Sequence, residues 1–220
     1  MRGQTSSGVG WRAVAVTGLL MLGAVVARAQ TPTPLSLRFD DELIALGAPL
    51  SRIDDRGLRI TAGAPSPFEF EVPGDPSSAA FWVVAATITP GSELVVEDVA
   101  LNPSRIAFVE VLSRMGAAIE LVHTGARLGE PVGEVRVTSA PLRGTTVEGA
   151  EIPWVIDEIP VLAEAAACAE GITEFRDAGE LRVKESDRIA TVDEMLTSLG
   201  VGVEQGTDHL VVRGGRLQPG

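Results

Sequence analysis

Apolar residues recur along this chain at helical spacing, and the recurrences repeat. Ile189, Val192, Leu196 and Leu199 step by three or four, which puts them on one face of a helix predicted over Asp187–Leu199. Gly200 stops that helix, and Val201–Glu204 and His209–Arg213 read as strands after it. Upstream, Pro160–Glu170 is an Ala-rich run with proline near its start and Gly171 at its end, the punctuation of a helix. Ile172–Phe175 reads as the strand that follows.

The same order of elements occurs earlier. Ala79–Thr87 predicts a helix stopped by Gly91, and Leu94–Val96 a strand. Ser104–Met115 predicts a second helix with an apolar stripe at Ile106, Val109, Leu112 and Met115, capped by Gly116. A weaker third copy places a first helix at Val14–Leu22 and a second at Asp40–Leu46, with Gly47 as cap. Such internal self-similarity implies repeated βαβαββ units, an α/β architecture with helices packed beneath sheets. Gly63–Phe70, rich in proline and glycine, reads as a link between the weak copy and the two clear ones, and Gly125–Gly133 as a surface loop. The expected division is one repeat in residues 1–68 and two in 69–220.

The first residues allow a second reading. Arg2 and Arg12 precede the apolar run Ala13–Ala27, and Ala27-Arg28-Ala29 has the form of a signal-peptidase site. The run is short for a membrane span. Its overlap with the third copy favours a helix of the fold over an export signal, and with it a cytoplasmic protein.

Composition narrows the function. The 220 residues carry a formal charge of −12, which argues against nucleic acid as a partner, since that needs a basic face. A small anionic substrate needs only a few focused cations and stays open. With 45% hydrophobic and 4% aromatic residues, the core must be aliphatic. Cys168 is the single cysteine, which excludes a disulfide within the chain; in its apolar run it reads as a small buried hydrophobe. His123 and His209, the two histidines, stand in polar strand-end or loop settings that favour no catalytic part. Of 18 lysines and arginines only Lys184 is a lysine, which suggests a position that needs a compact ammonium.

Lys184 sits in Arg182-Val-Lys-Glu-Ser-Asp-Arg188, beside a helix start. Helix N-termini attract anions, and Lys184 and Arg188 would strengthen such a site, while Glu185 is a carboxylate suited to acid–base work. The plain alternative is a solvated helix cap in which Glu185 offsets repulsion between Lys184 and Arg188. Asp157, in Val155-Ile-Asp-Glu-Ile-Pro160, is favoured by its position alone as an N-cap.

Four strings together are specific: Pro73-Gly-Asp-Pro-Ser-Ser-Ala-Ala-Phe81, Leu101-Asn-Pro-Ser-Arg105, Val155-Ile-Asp-Glu-Ile-Pro-Val-Leu162 and Glu180-Leu-Arg-Val-Lys-Glu-Ser-Asp-Arg-Ile189. They resemble the enolpyruvyl transferases, and within them the shikimate-pathway branch. The resemblance covers residues 70–213 well and 5–70 weakly. It implies the incomplete fold of an inside-out α/β barrel. It also implies transfer of the enolpyruvyl group of phosphoenolpyruvate to the 5-hydroxyl of shikimate 3-phosphate, with release of phosphate. No cofactor, metal, membrane or nucleic acid is implied, and the complete protein would be a monomer. Carried over by motif, Asp157 lies at the substrate hydroxyl, Glu185 transfers protons, Lys184 contacts the shikimate phosphate and Arg188 holds phosphoenolpyruvate. Ser7 would be a further substrate contact.

The departures are also plain. A family string Ser-Ala-Gln-Val-Lys is here Ser7-Gly-Val-Gly-Trp11, with only Ser7 retained, and Leu35–Asp40 replaces another family string. Family segments expected before and after this stretch are absent. Two other functions stay in view: a non-catalytic remnant of the fold, and the sibling activity on UDP-N-acetylglucosamine.

Overall fold

A computed structural model describes residues 25–28, 43–44, 46–54, 57–64 and 67–215. The chain divides into two compact units at Val72/Pro73. In the first, strands β1 (Val25–Arg28), β2 (Leu50–Asp54) and β3 (Gly57–Ile60) form an antiparallel sheet in the order β1-β3-β2. Leu43 and Ile44 are helical and Gly47 is left-handed, with its N–H bonded to the Ile44 carbonyl and the next N–H to that of Leu43. That is the glycine stop read from the sequence. The predicted helix Val14–Leu22 lies outside the described residues.

The second unit runs α1 (Pro76–Ile88), β4 (Glu93–Ala100), α2 (Ala107–Met115), β5 (Ala118–Arg127), β6 (Glu130–Thr138) and β7 (Thr146–Val147). It continues through α3 (Ile152–Val155), α4 (Ile159–Cys168), β8 (Gly171–Phe175), a 3-10 turn at Gly179–Val183, α5 (Arg188–Ser198), β9 (Gly202–Gln205) and β10 (Leu210–Gly214). Its sheets are ordered β4-β6-β5 and β7-β8-β10-β9. In each, the first long strand pairs antiparallel with the third and the third with the second. A parallel neighbour flanks the first strand of both: β7 beside β8, and a single bridge from Gly74 to Val99 of β4. The β1-β3-β2 sheet has the same first-third-second order, so the three sheets share one strand order.

The two copies of the second unit also share a backbone detail. Asp98 in β4 and Asp177 after β8 both take left-handed φ, 59° in each case. Asp98 gives its carbonyl to the Gly74 N–H at 2.6 Å, and Asp177 its carboxylate to the Gly149 N–H at 2.9 Å. In both copies the left-handed residue ties the first strand to the segment that leads into the helices before it. Aspartate tolerates this conformation better than most residues.

Helices α2 and α5 bury one stripe each, while α1 and α4 are apolar nearly all round and α4 is almost wholly enclosed. Ile189, Val192 and Leu196 are buried as the spacing predicts, but Leu199 is exposed, because the helix ends at Ser198 and the left-handed Gly200 turns the chain away. Cys168 is half-buried rather than buried, as it lies on the last turn of α4. The stretch Gly125–Gly133 is a hairpin, not a loop. Leu128 and Gly129 both have positive φ, the two-residue turn whose twist suits paired strands, and Arg127 faces Glu130 across it. Gly133 lies within β6, where a Cβ would sit 2.0 Å from the Val122 carbonyl oxygen. Among the described residues no helix is long and apolar enough to cross a membrane.

Thr173, on the inner face of β8, is fully buried, and its hydroxyl has no hydrogen-bond partner among the described residues. An unmet buried hydroxyl costs about 1–3 kcal/mol. Thr173→Val keeps the shape and removes the hydroxyl, so it is expected to raise stability by about 1 kcal/mol. Urea denaturation with an unchanged m-value checks this; a midpoint that falls would show that the hydroxyl is satisfied.

Candidate active site

Asp157 sits in the turn between α3 and α4, where the chain passes from one helical segment into the next without leaving helical geometry at Ile156 and Glu158. Position alone allowed Asp157 to be a cap. The structure puts Glu158 at the N-cap position of α4 and finds no side-chain cap there. The Asp157 carboxylate turns outward instead. Its Oδ1 accepts from Arg188 Nη1 at 3.1 Å and lies 3.8 Å from Lys184 Nζ. Capping by aspartate does occur in the earlier copy: Asp75 accepts from the N–H groups of Ser77 and Ser78 at the start of α1.

Lys184 lies in the strap between the 3-10 turn and α5, and Arg188 is the first residue of α5. Backbone from Lys184 to Asp187 is neither helix nor strand. Both cations are three-quarters buried, each with 24% of its side chain exposed, whereas the carboxylates of Glu180 and Glu185 stand largely in solvent. Lys184 Nζ pairs with Glu180 at 2.7 Å. Arg188 forms a two-pronged contact with Glu185, both prongs at 3.0 Å. Sequence reasoning gave Glu185 the task of offsetting both cations. It offsets Arg188, and Glu180 takes Lys184.

The expected anion slot at the N-terminus of α5 is already filled. Asp187 Oδ1 accepts the Ala190 N–H at 3.0 Å, and Asp187 Oδ2 pairs with Arg182 Nη1 at 2.7 Å. The positive charge gathered here is therefore that of the Lys184 and Arg188 side chains, not of free helix N–H groups.

The charges tune one another. Hydrogen bonding to Glu180 raises the Lys184 ammonium above its usual range, against the opposing effect of burial. Bonding from Arg188 holds the Glu185 carboxyl below the usual range, and the same contact raises Arg188. The Ala190 N–H lowers Asp187, with Arg182 adding to it against burial. The Lys184 ammonium, the Arg188 guanidinium and the carboxylates of Glu185 and Asp187 are thus ionised near neutrality.

Three further residues meet beside this cluster that sequence reasoning did not assign. Glu158 is the one buried acidic side chain among the described residues, and Ser77 Oγ donates to it at 2.5 Å. Arg105 Nη2 donates in turn to Ser77 Oγ at 3.0 Å and to Asp75 at 3.2 Å. This chain ties the start of α1 to the start of α4. All three residues stand in the specific strings, Ser77 in the first, Arg105 in the second and Glu158 in the third. Their meeting was not legible there, because a carboxylate–hydroxyl bond across 81 positions has no local signal.

The other candidates lie elsewhere. Ser7 is outside the described residues. His209 is partly exposed at the start of β10, hydrogen-bonded to Asp208, and His123 lies within β5 opposite Gly133. Neither joins Asp157, Lys184, Glu185 and Arg188. Burial raises the Cys168 thiol, with Glu164 adding to it, which opposes thiolate chemistry.

Comparison with known proteins gives a consistent result. The family model described as EPSP synthase (3-phosphoshikimate 1-carboxyvinyltransferase) matches residues 12–220. The 3-phosphoshikimate 1-carboxyvinyltransferase of Desulforudis audaxviator is 47% identical over 209 residues, 91% of this chain and 48% of that protein. The enzyme of the same name from Thermus thermophilus is 46% identical over 209 residues, 94% and 48% respectively. The EPSP synthase structure from Acinetobacter baumannii superposes with a TM-score of 0.75 at 34% identity, over 87% of this chain and 43% of that one. The enolpyruvyl transferase NikO from Streptomyces tendae shares the fold, with a TM-score of 0.59 at 19% identity and 87% and 43% coverage. The chain therefore spans about half the length of the curated relatives it matches.

The ion pairs make a prediction about acid. A carboxylate held low in the fold contributes stability above its unfolded pKa and loses it as pH falls through the folded value. Asp187 and Glu185 are both of this kind. The Ala190 amide resonance, which reports protonation of its Asp187 cap, is expected to titrate below the ordinary aspartate value of about 3.9. A midpoint at or above that value contradicts the cap geometry.

Proposed function

Because the chain belongs to the EPSP synthase family, we propose that it is a large part of an enzyme that moves the enolpyruvyl group from phosphoenolpyruvate to the 5-hydroxyl of shikimate 3-phosphate, releasing phosphate. Convergence of Asp157, Lys184, Glu185 and Arg188 at one place, from two separate strings of the sequence, is the observation that carries the reading. Two cations beside three carboxylates suit two phosphorylated, acidic substrates and a reaction that moves protons.

The chemistry needs two proton transfers. In the first step the hydroxyl oxygen bonds to C2 of phosphoenolpyruvate, the hydroxyl proton leaves, and the methylene carbon gains a proton, giving a tetrahedral ketal phosphate. In the second the new methyl group returns a proton, the bond from C2 to the phosphate oxygen breaks, and phosphate departs. Asp157 is assigned to the hydroxyl. Glu185, exposed and held at the rim by Arg188, serves the proton transfers. Lys184 binds the shikimate phosphate as a point charge and Arg188 holds phosphoenolpyruvate through its planar fork. Glu180, Glu185 and Asp157 pair with these cations in the chain itself, and substrate phosphate and carboxylate groups would exchange with them. No cofactor is assigned, and Ser7 is assigned as a further substrate contact.

Residues 1–68 are assigned as the last repeat of one domain and 69–220 as two repeats of the other, together a monomer when complete. A cytoplasmic location is part of the same reading. Its support is that Val25–Arg28, inside the segment that imitates a signal-peptidase site, is hydrogen-bonded into a sheet as the partner of β3.

Two measurements test this function. The purified 220-residue chain is expected to bind shikimate 3-phosphate weakly and to release no phosphate above a blank, since orientation and charge stabilisation need the enclosing half. Phosphate release above the blank overturns the second expectation; preference for UDP-N-acetylglucosamine over shikimate 3-phosphate overturns the substrate. In a chimera completed with the missing half of a relative, Glu185→Gln and Asp157→Asn are expected to lower kcat by about 10²–10⁴-fold. Lys184→Ala is expected chiefly to weaken shikimate 3-phosphate, and Lys184→Arg to restore it only in part. Near-normal kcat in a folded Glu185→Gln chimera returns Glu185 to a mere counter-charge.

A further inference from the structure

The strap that carries Lys184 and leads into Arg188 has no regular secondary structure from Lys184 to Asp187, so something else must fix its path. The candidate is Arg182. Its guanidinium has all three nitrogens engaged. Nε donates to the carbonyls of Gly206 and Thr207 at 3.1 and 3.2 Å, Nη1 to Asp187 at 2.7 Å, and Nη2 to Gln205 Oε1 at 2.7 Å and the Gly206 carbonyl at 2.5 Å. Gln205, Gly206 and Thr207 form the passage from β9 towards β10. The fourth partner, Asp187, caps α5 with its other oxygen. One side chain thus pins both ends of the strap to a hairpin: residue 182 directly, residue 187 through its carboxylate. The two cations lie between and beside these pins.

We propose that Arg182 is a positioning residue, which sets where Lys184 and Arg188 present their charges without touching ligand, and so couples the β9–β10 turn to the anion site. A planar fork with several donors suits that task, as an ammonium does not. The part concerning ligand rests on the function proposed above; the part concerning position does not.

The single lysine makes both parts measurable. With Cε-labelled lysine, Lys184 gives one side-chain signal in the whole chain. Its neighbours in charge are Glu180, Asp157, Arg188 and Glu185. Removing the positive charge of Arg182 would by itself make Lys184 easier to protonate and move its titration upward. Loss of its seat beside Glu180 moves the titration downward. Arg182→Gln is therefore expected to lower the Lys184 titration midpoint, a sign that charge removal cannot produce. A purely structural Arg182 would lower the melting temperature and leave the midpoint of the folded protein where it was. Val84→Ala, a core truncation remote in sequence from the strap, serves as the control for lost stability and is expected to leave the midpoint unchanged. Should Arg182→Gln fail to fold, Gln205→Ala, which removes one acceptor, is expected to give a smaller shift of the same sign.

The ligand arm titrates the 220-residue chain with shikimate 3-phosphate. Lys184→Ala is expected to weaken binding beyond detection and Arg182→Gln to weaken it about tenfold, the scale of one impaired hydrogen bond to a charged group. An unchanged or raised Lys184 midpoint in both Arg182→Gln and Gln205→Ala overturns the positioning proposal. Binding that is insensitive to Lys184→Ala overturns the ligand assignment while the midpoint still decides the other.

Discussion

The second unit is organised by the need to enclose α4. Ile159, Val161, Leu162 and four of its alanines are buried, so the helix has almost no face that tolerates water. A helix apolar all round is stable only inside a core. Each large aliphatic side chain withdrawn from water contributes about 1.5–3 kcal/mol. Elements from both repeats meet the helix: α1 and α2 from the first, and α5, β8 and β10 from its own. The alanines let these neighbours come close. Gly214 at the end of β10 shows how close, because a Cβ there would stand 2.1 Å from the Ala169 carbonyl oxygen and 2.3 Å from that of Ala166. Neither repeat can bury α4 alone, and the two are one unit for that reason.

Enclosure of α4 fixes the place of its N-terminus, and the polar groups gather there. Glu158 is drawn under the surface and meets Ser77 of α1, a bond that joins the repeats beside their apolar contact. Asp157, one residue earlier, stays outside and faces the strap. The side chains of Lys184 and Arg188 are more buried than those of their carboxylate partners. The exposed carboxylates of Glu180 and Glu185 are weakly held, because exposed ion pairs contribute little. Under the function proposed for this cluster, such weak internal pairs are the ones an incoming anion would displace.

What the sequence revealed follows from how local each signal is. Stops at Gly47, Gly116 and Gly200 were legible because left-handed residues at helix ends favour glycine, and all three adopt it. The stripe of α2 was legible from its spacing, and the repeat from the order of elements. Gly125–Gly133 misled because glycine marks both turns and close strand packing; only the partner strand, at Val122, tells which. Leu199 misled because the spacing rule does not know where the helix ends. In the site, Lys184, Glu185 and Arg188 were conspicuous as a charged run, but their pairing was not. Glu180 and Arg182 were read as part of a string without tasks, since the hairpin partners of Arg182 lie 23 to 25 positions away.

The repeats show how one scaffold can begin a helix in two ways. In the first copy the chain reaches α1 from extended backbone, so the first N–H groups of the helix need acceptors, and Asp75 is used up in supplying them. In the second copy α3 precedes α4 with hardly a break. The Glu158 N–H finds the Val155 carbonyl, and the Glu158 carbonyl in turn accepts from the Leu162 N–H, so the backbone satisfies itself. The two acids at that junction are released from capping. One turns inward to bind the neighbouring repeat and the other outward to face Lys184 and Arg188. One short helical turn before α4 thus changes the role open to an aspartate from finishing a helix to pairing with the cations Lys184 and Arg188, with the sheet order beneath it unchanged.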